Sequence, residues 1–129
     1  MGGIGGKKML SSTEYISLDG SASQPGPELP LPRSRHCAVK LRTGKVMIIG
    51  GGLDEEIQQN VIIFDPDAKT FVHSLPSLNY ARFGLGCAVF NSTMHENREV
   101  VLAVGGYGQA TAEVYDYTQP YAVWTQSNY

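Results

Sequence analysis

The sequence predicts an all-β protein made of two copies of one four-stranded antiparallel unit, with part of a third ahead of them. Three observations predict it. The run Lys45-Val46-Met47-Ile48-Ile49-Gly50-Gly51-Gly52 recurs as Glu99-Val100-Val101-Leu102-Ala103-Val104-Gly105-Gly106. In both, an apolar and β-branched run stops at a glycine pair, as a buried strand does when it must turn sharply. The tripeptide beginning at Cys37 returns unchanged at Cys87, a period of about 50 residues. Finally, Ala112-Glu113-Val114-Tyr115-Asp116 repeats the pattern of Val61-Ile62-Ile63-Phe64-Asp65, and Ala122-Val123-Trp124-Thr125-Gln126 that of Lys69-Thr70-Phe71-Val72-His73. An aromatic residue holds the same place each time.

From the start of the chain, Gly2-Gly3-Ile4-Gly5-Gly6 is too flexible for a helix and offers too few side chains for a core. Its glycine pairs echo those at Gly51 and Gly105, so the chain is expected to open partway through a unit. Thr13 to Gly20 sets Tyr15, Ser17 and Asp19 against Ile16 and Leu18, which predicts a half-buried strand closed by an Asp-Gly turn. Ser21 to Pro32 carries Pro25, Pro27, Pro30 and Pro32 and is predicted to be loop or sheet edge, because proline cannot donate to an inner ladder.

His36 to Leu41 and Val46 to Ile49 flank the turn Arg42-Thr43-Gly44-Lys45 and predict a hairpin. An acidic loop, Leu53 to Gln59, leads to a third strand from Asn60 to Asp65, the turn Pro66-Asp67-Ala68-Lys69, and a fourth strand from Thr70 to Leu75. The order then begins again, with Gly86-Cys87-Ala88-Val89-Phe90 aligned on His36-Cys37-Ala38-Val39-Lys40. The next loop, Asn91 to Arg98, is longer than its counterpart, and a hairpin loop is where a repeat tolerates insertion. The chain thus divides into 1–32, the tail of a preceding unit with a proline-rich loop; 33–78, a complete repeat; and 79–129, a second repeat cut short at its end.

Composition excludes several classes of function. Charged residues are 17% of the chain and the formal net charge is -2, so no cationic excess exists to neutralise a nucleic-acid backbone or an anionic membrane. Cys37 and Cys87 form no C-x-x-C and are expected to be buried, reduced core residues, which favours the cytoplasm. Met1 to Thr13 lacks the apolar core of a secretory signal, and Gly6 stands where a myristoylation signal wants Ser or Thr.

Within Arg33 to Trp124 the chain resembles the kelch repeat. The residues that carry the likeness are an Arg at the end of the loop leading into each unit (Arg33, Arg82), the glycine pairs Gly50-Gly51 and Gly105-Gly106, the aromatic-Asp pairs Phe64-Asp65 and Tyr115-Asp116, and a last-strand aromatic, Phe71 or Trp124. Phe71 departs from the family's usual Trp. The resemblance implies a partial kelch β-propeller of about two and a half four-stranded antiparallel blades. Propellers of this type close with roughly five to seven blades, so the chain is expected to be a fragment of a longer protein, with self-assembly of copies into a ring as the alternative. It also implies that the glycine pairs make room for the last-strand aromatic of the same blade.

Candidate chemistry is sparse. His36, His73 and His95 share no metal-ligand spacing, and Asp65-Pro66-Asp67 reads as turn residues, so neither a metal nor another cofactor is expected. No phosphate-cradling Gly-rich loop and no nucleophile elbow occurs, so no catalytic residue is assigned. Asn91-Ser92-Thr93 is a formal N-glycosylation acceptor that would matter in a secreted protein. The resemblance places partner binding on the loops leading into each blade and those joining its second and third strands. There Arg33, Arg35, Asp54, Glu55, Glu56, Tyr80, Arg82 and Tyr107 combine mixed charge with aromatic anchors. The expected function is a protein-protein interaction module, such as the substrate-reading part of a ubiquitin-ligase adaptor. The alternatives are a fragment of a kelch-containing oxidase or isomerase, or a nonfunctional truncated product.

Overall fold

The computed structural model describes residues 2–5, 8–10, 12–30, 32–53, 56–72 and 75–127, with the backbone alone at 3–5, 8–10, 53 and 56. Among these the protein is all-β with no α-helix. In chain order the strands are β1 (Gly3–Gly5), β2 (Lys8–Leu10), β3 (Glu14–Ile16), β4 (Ser23–Pro25), β5 (Cys37–Lys40), β6 (Val46–Ile49), β7 (Gly52–Leu53), β8 (Glu56–Ile57), β9 (Val61–Asp65) and β10 (Thr70–Val72). They continue with β11 (Gly86–Ser92), β12 (Arg98–Val104), β13 (Ala112–Tyr115) and β14 (Thr125–Gln126), and a single 3-10 turn, Thr93–His95, joins β11 to β12.

Two antiparallel four-stranded sheets dominate, ordered β10-β9-β6-β5 and β11-β12-β13-β14, and neither closes on itself. Three two-stranded hairpins, β1-β2, β3-β4 and β7-β8, accompany them. The two large sheets are copies in register as well as in order. Val46 faces Phe64 across β6-β9, and Val101 faces Tyr115 across β12-β13. Phe64 and Phe71 meet at 5.1 Å between ring centroids, and Tyr115 and Trp124 meet at 5.3 Å.

The sheets stack face to face. Side chains alternate along each strand, so every sheet has two faces to bury. One face of the first sheet, Met47, Ile49, Val61 and Ile63, packs on the face of the second that carries Val101, Ala103, Tyr115 and Trp124. The other face of the first sheet, Ile48, Ile62 and Phe64, is covered by Leu29 and by Tyr15 of the β3-β4 hairpin. Met47, Ile48 and Ile49 are all 0% exposed, which explains an inner strand without a polar residue.

Several sequence expectations change here. Tyr15 is the residue of β3 that turns inward, whereas Ile16 and Leu18 are exposed, because the hairpin covers the first sheet with an aromatic ring and leaves its other face to solvent. The acidic loop is itself a small hairpin, β7-β8. The long hairpin after β11 extends its ladder to Ser92 opposite Arg98, so the insertion lengthens the strands and leaves only 93–97 as loop.

The cysteines are the main correction: Cys37 and Cys87 are not reduced thiols buried in separate sheets but form a disulfide, with Cα atoms 6.1 Å apart. Register explains how. Cys37 stands opposite Ile49, but Gly86, not Cys87, stands opposite the equivalent residue Val104. The identical tripeptides are therefore offset by one residue, and a one-residue offset turns a side chain to the other face of its sheet. Stacked copies present opposite faces to each other, so only the offset cysteine can meet its partner. The support that reduced cysteines lent to a cytoplasmic location is removed with them.

Candidate functional site

At one end of both sheets the connecting loops knit into a continuous layer. Ser34 and Gly52 exchange backbone hydrogen bonds, Gly51 N donates to Arg82 O at 2.8 Å, Arg82 N to Gln58 O, Gly84 N to Arg35 O, and Tyr107 N to Phe83 O. The glycine pairs make this possible. Gly50, Gly51, Gly105 and Gly106 all have positive φ, between 63° and 110°. A Cβ on Gly50 would lie 2.5 Å from Arg82 O, one on Gly51 2.8 Å from Ser34 O, and one on Gly106 3.0 Å from Phe83 O. The glycines thus give room to the backbone of the leading loops, and not to the aromatics Phe71 and Trp124 as the family pattern implied.

Arg33 and Arg82 are placed differently from the expectation that they reach a partner: both are 0% exposed. Arg33 donates from Nη1 to Gly50 O (3.1 Å) and from Nη2 to Asn60 Oδ1 (2.8 Å). Arg82 donates from Nη1 to Gly105 O (2.8 Å) and Thr111 O (2.7 Å), from Nη2 to Thr111 Oγ1, and from Nε to Glu113 Oε2 at 3.1 Å. Each guanidinium holds the glycine turn of its own unit, satisfying carbonyls that the sharp turn strips of ladder partners. Burial lowers the pKa of Arg33, and burial together with the nearby Arg33 charge lowers that of His36.

What the layer exposes is an aromatic and cationic ladder. Arg35 lies over the ring of Phe83 at 5.8 Å from its centroid, and Phe83 meets Tyr107 at 5.4 Å with the rings tilted by 37°. The three residues come from three loops, two from the second unit and one from the first. Tyr107 is 78% exposed and Tyr80, nearby in sequence to Arg82, is 46% exposed. Arg35 has a φ of 55°, where its counterpart in the second unit is Gly84 at 65°. An arginine in this region carries a conformational penalty of about 1–2 kcal/mol, and strained non-glycine residues concentrate at functional positions.

Of the sequence-assigned binding residues, Arg35 and Tyr107 are brought together by Phe83, a residue that sequence reasoning passed over. Its signal was available as one more aromatic beside the repeat arginine, in the loop that leads into β11. Asp54 and Glu55 lie outside the described residues, and Glu56 is placed on β8 by its backbone alone.

The opposite end of the sheets holds a second group. A shallow cleft of about 510 Å³ is lined by Arg42, Arg98, Glu99, Tyr117, Thr118 and Gln119, with Thr43. Glu99 accepts hydrogen bonds from Arg42 N (2.8 Å) and the Tyr117 hydroxyl (2.6 Å). Burial raises the Glu99 pKa, but Tyr117, the Arg42 amide and the Arg42 charge outweigh it and hold the carboxyl below its ordinary range. Burial and the Glu99 carboxylate push Tyr117 up to about 12. Asp116, bound to Arg98 Nε at 2.8 Å and to the Thr118 hydroxyl, is likewise held low against burial. Carboxylates fixed in the ionised state by arginines brace hairpin ends and are poorly suited to donate protons. Among the described residues no group of three or more His, Cys, Asp or Glu could hold a metal ion, and no helix is long and apolar enough to cross a membrane.

No protein-family model matches the chain, and no curated protein matches it.

Proposed function

We propose that the chain is a set of kelch-type propeller blades that serves as a protein-binding module, and that it binds through the loop-built end bearing Arg35, Phe83 and Tyr107. The observation that carries this reading is the exposed ladder itself. An Arg and two aromatic rings from separate loops stand on a rigid, hydrogen-bonded base, and Arg and Tyr are the side chains that most often supply binding energy at protein interfaces. Because the base is fixed by the glycine turns and buried arginines, little order has to be imposed on binding.

The propeller part of the reading is supported by the outer face of the second sheet. Val104 is 43% exposed there, while Ile49, its register counterpart in the first sheet, is 0% exposed under its neighbour. A further blade, in a longer chain or from another copy, would cover Val104 as the second sheet covers Ile49.

The test is selection from a displayed peptide library on the purified protein, followed by titration of the selected peptides against variants. Tyr107→Ala and Arg35→Ala should each weaken binding at least tenfold while leaving the thermal transition in place, and Arg42→Ala at the opposite end should have no effect. Selected peptides that bind all three variants equally would refute the assigned face.

A further inference from the structure

We propose that the protein matures in the oxidising lumen of the secretory pathway and that Asn91 is an N-glycosylation site there. Two separate features of the chain point to the same compartment. The first is the Cys37–Cys87 disulfide, which joins the edge strands β5 and β11 of two stacked sheets across 50 residues of sequence. Structural disulfides form and persist in oxidising compartments and are rare where glutathione keeps thiols reduced. This bond is built into the fold, since only the one-residue offset of Cys87 aims it at Cys37.

The second feature is the acceptor triplet Asn91-Ser92-Thr93. It sits where β11 ends and the 3-10 turn begins, at the tip of the lengthened hairpin. Asn91 and Thr93 are both exposed, whereas Ser92 between them is buried, with its hydroxyl 2.9 Å from His95 Nδ1. The contact that Asn91 makes is through Oδ1, which accepts from the exposed Arg42 Nη2. Nδ2, the atom that takes the sugar, is left without a described hydrogen bond. A glycan at this tip projects from the end of the sheets opposite to the Arg35-Phe83-Tyr107 ladder. It therefore leaves the ladder uncovered.

Two covalent steps follow. Oxidation joins the two Sγ atoms as both thiols lose a proton and one electron each, the electron pair passing to the disulfide of a luminal thiol oxidoreductase. In glycosylation, Nδ2 of Asn91 forms a bond to the anomeric carbon of a lipid-diphosphate-linked oligosaccharide. The bond from that carbon to the diphosphate oxygen breaks, Nδ2 gives up one proton, and the lipid diphosphate leaves.

The proposal does not depend on the protein-binding reading. Its test is on the endogenous protein, purified with antibody from its own cells after lysis in N-ethylmaleimide, and analysed by mass with and without peptide:N-glycosidase. The expected result is a mass that falls by one core glycan on enzyme treatment, with Asn91 recovered as aspartate and neither cysteine alkylated. A Thr93→Ala form expressed in the same cells should show no such fall. A mass unchanged by the enzyme, or maleimide on both Cys37 and Cys87, overturns the proposal.

Discussion

Arg33 and Arg82 occupy the same place in their two units, yet among the described residues only Arg82 meets a carboxylate. Glu113 stands across from Ala103, and the residue at its place in the first unit is Ile62, across from Ile48. The reason lies in the loops before the arginines. In the second unit Glu113 also accepts from the backbone of Asn79 at 2.6 Å and of Tyr80 at 3.3 Å. The first unit has Pro30 where the second has Asn79, both following a buried leucine, Leu29 or Leu78. Proline has no N–H to satisfy. The first unit can therefore do without the acid and fill its place with Ile62 in the apolar layer, at the expense of leaving Arg33 Nε with no hydrogen-bond partner among the described residues. The buried acid serves the loop's donors as much as the arginine.

Removing the arginines should separate the two units most sharply. Arg82→Met leaves Glu113 buried without its cation and should cost about 3–5 kcal/mol, whereas Arg33→Met, which strands no charge among the described residues, should cost about 1–3 kcal/mol. Chemical denaturation of the two variants decides the matter, and equal losses would mean that Glu113 adds nothing beyond what the shared hydrogen bonds supply.

The disulfide ties the units together, so its loss should cost less than Arg82→Met but act on both sheets. For a closed loop of this length the chain-entropy argument gives up to about 4 kcal/mol, and measured effects run lower, at about 2–4 kcal/mol. The urea midpoint should fall by the corresponding amount in the Cys37→Ser variant, and reductant should shift the wild type to the same midpoint. A wild-type midpoint indifferent to reductant would count against a structural role.

The glycine turns of the two units also differ. Gly50→Ala and Gly105→Ala share a positive-φ penalty of about 1–2 kcal/mol. The added methyl at Gly50 would also press on Arg82 O at 2.5 Å, while at Gly105 the nearest atom is Gln109 O at 3.6 Å. Gly50→Ala should therefore lower the melting temperature more, and the reverse order would contradict the packing of the second unit's loop on the first unit's turn.

The smallest expected effect is on pH dependence. Glu99 and Asp116 have folded pKa values held below their unfolded ones, so the stability they confer is present above the unfolded carboxylate range and is lost as pH falls below that range and through the lower folded values. Tyr117 is raised to about 12, so its contribution is full below about 10 and is lost as pH rises towards that value. Glu99→Gln should flatten the acid limb of stability against pH without moving the difference between Arg33→Met and Arg82→Met.

Much of this architecture was legible in the sequence. Repeated apolar runs, glycine pairs and aromatic-Asp pairs placed the strands of both units, because those residues answer to local backbone geometry and to burial on two faces. Cys37 and Cys87 were misread because an identical tripeptide invites alignment in step. Strand side is decided by register one residue at a time, and the loop before β11 fixes that register through long-range hydrogen bonds that no local pattern carries. For Arg33 and Arg82 the sequence leaves two readings open, partner contact and bridging between units, because nothing local separates an exposed loop arginine from a buried one. Their burial depends on carbonyls of the glycine turns, 17 residues away for Arg33 and 23 for Arg82. Phe83 was missed since its role exists only once Arg35 and Tyr107 converge on it.

Disulfide mapping in the folded chain, equilibrated in a glutathione redox buffer, tests the stacking of the two units most directly. The wild type is compared with the double variant Gly86→Cys, Cys87→Ala, which moves the second cysteine by one residue to the register position of Cys37. The account predicts a Cys37–Cys87 cross-linked peptide in the wild type and two free thiols in the shifted variant. A cross-link that forms equally well from either position, or from neither, would contradict a face-to-face stack set by that one-residue offset.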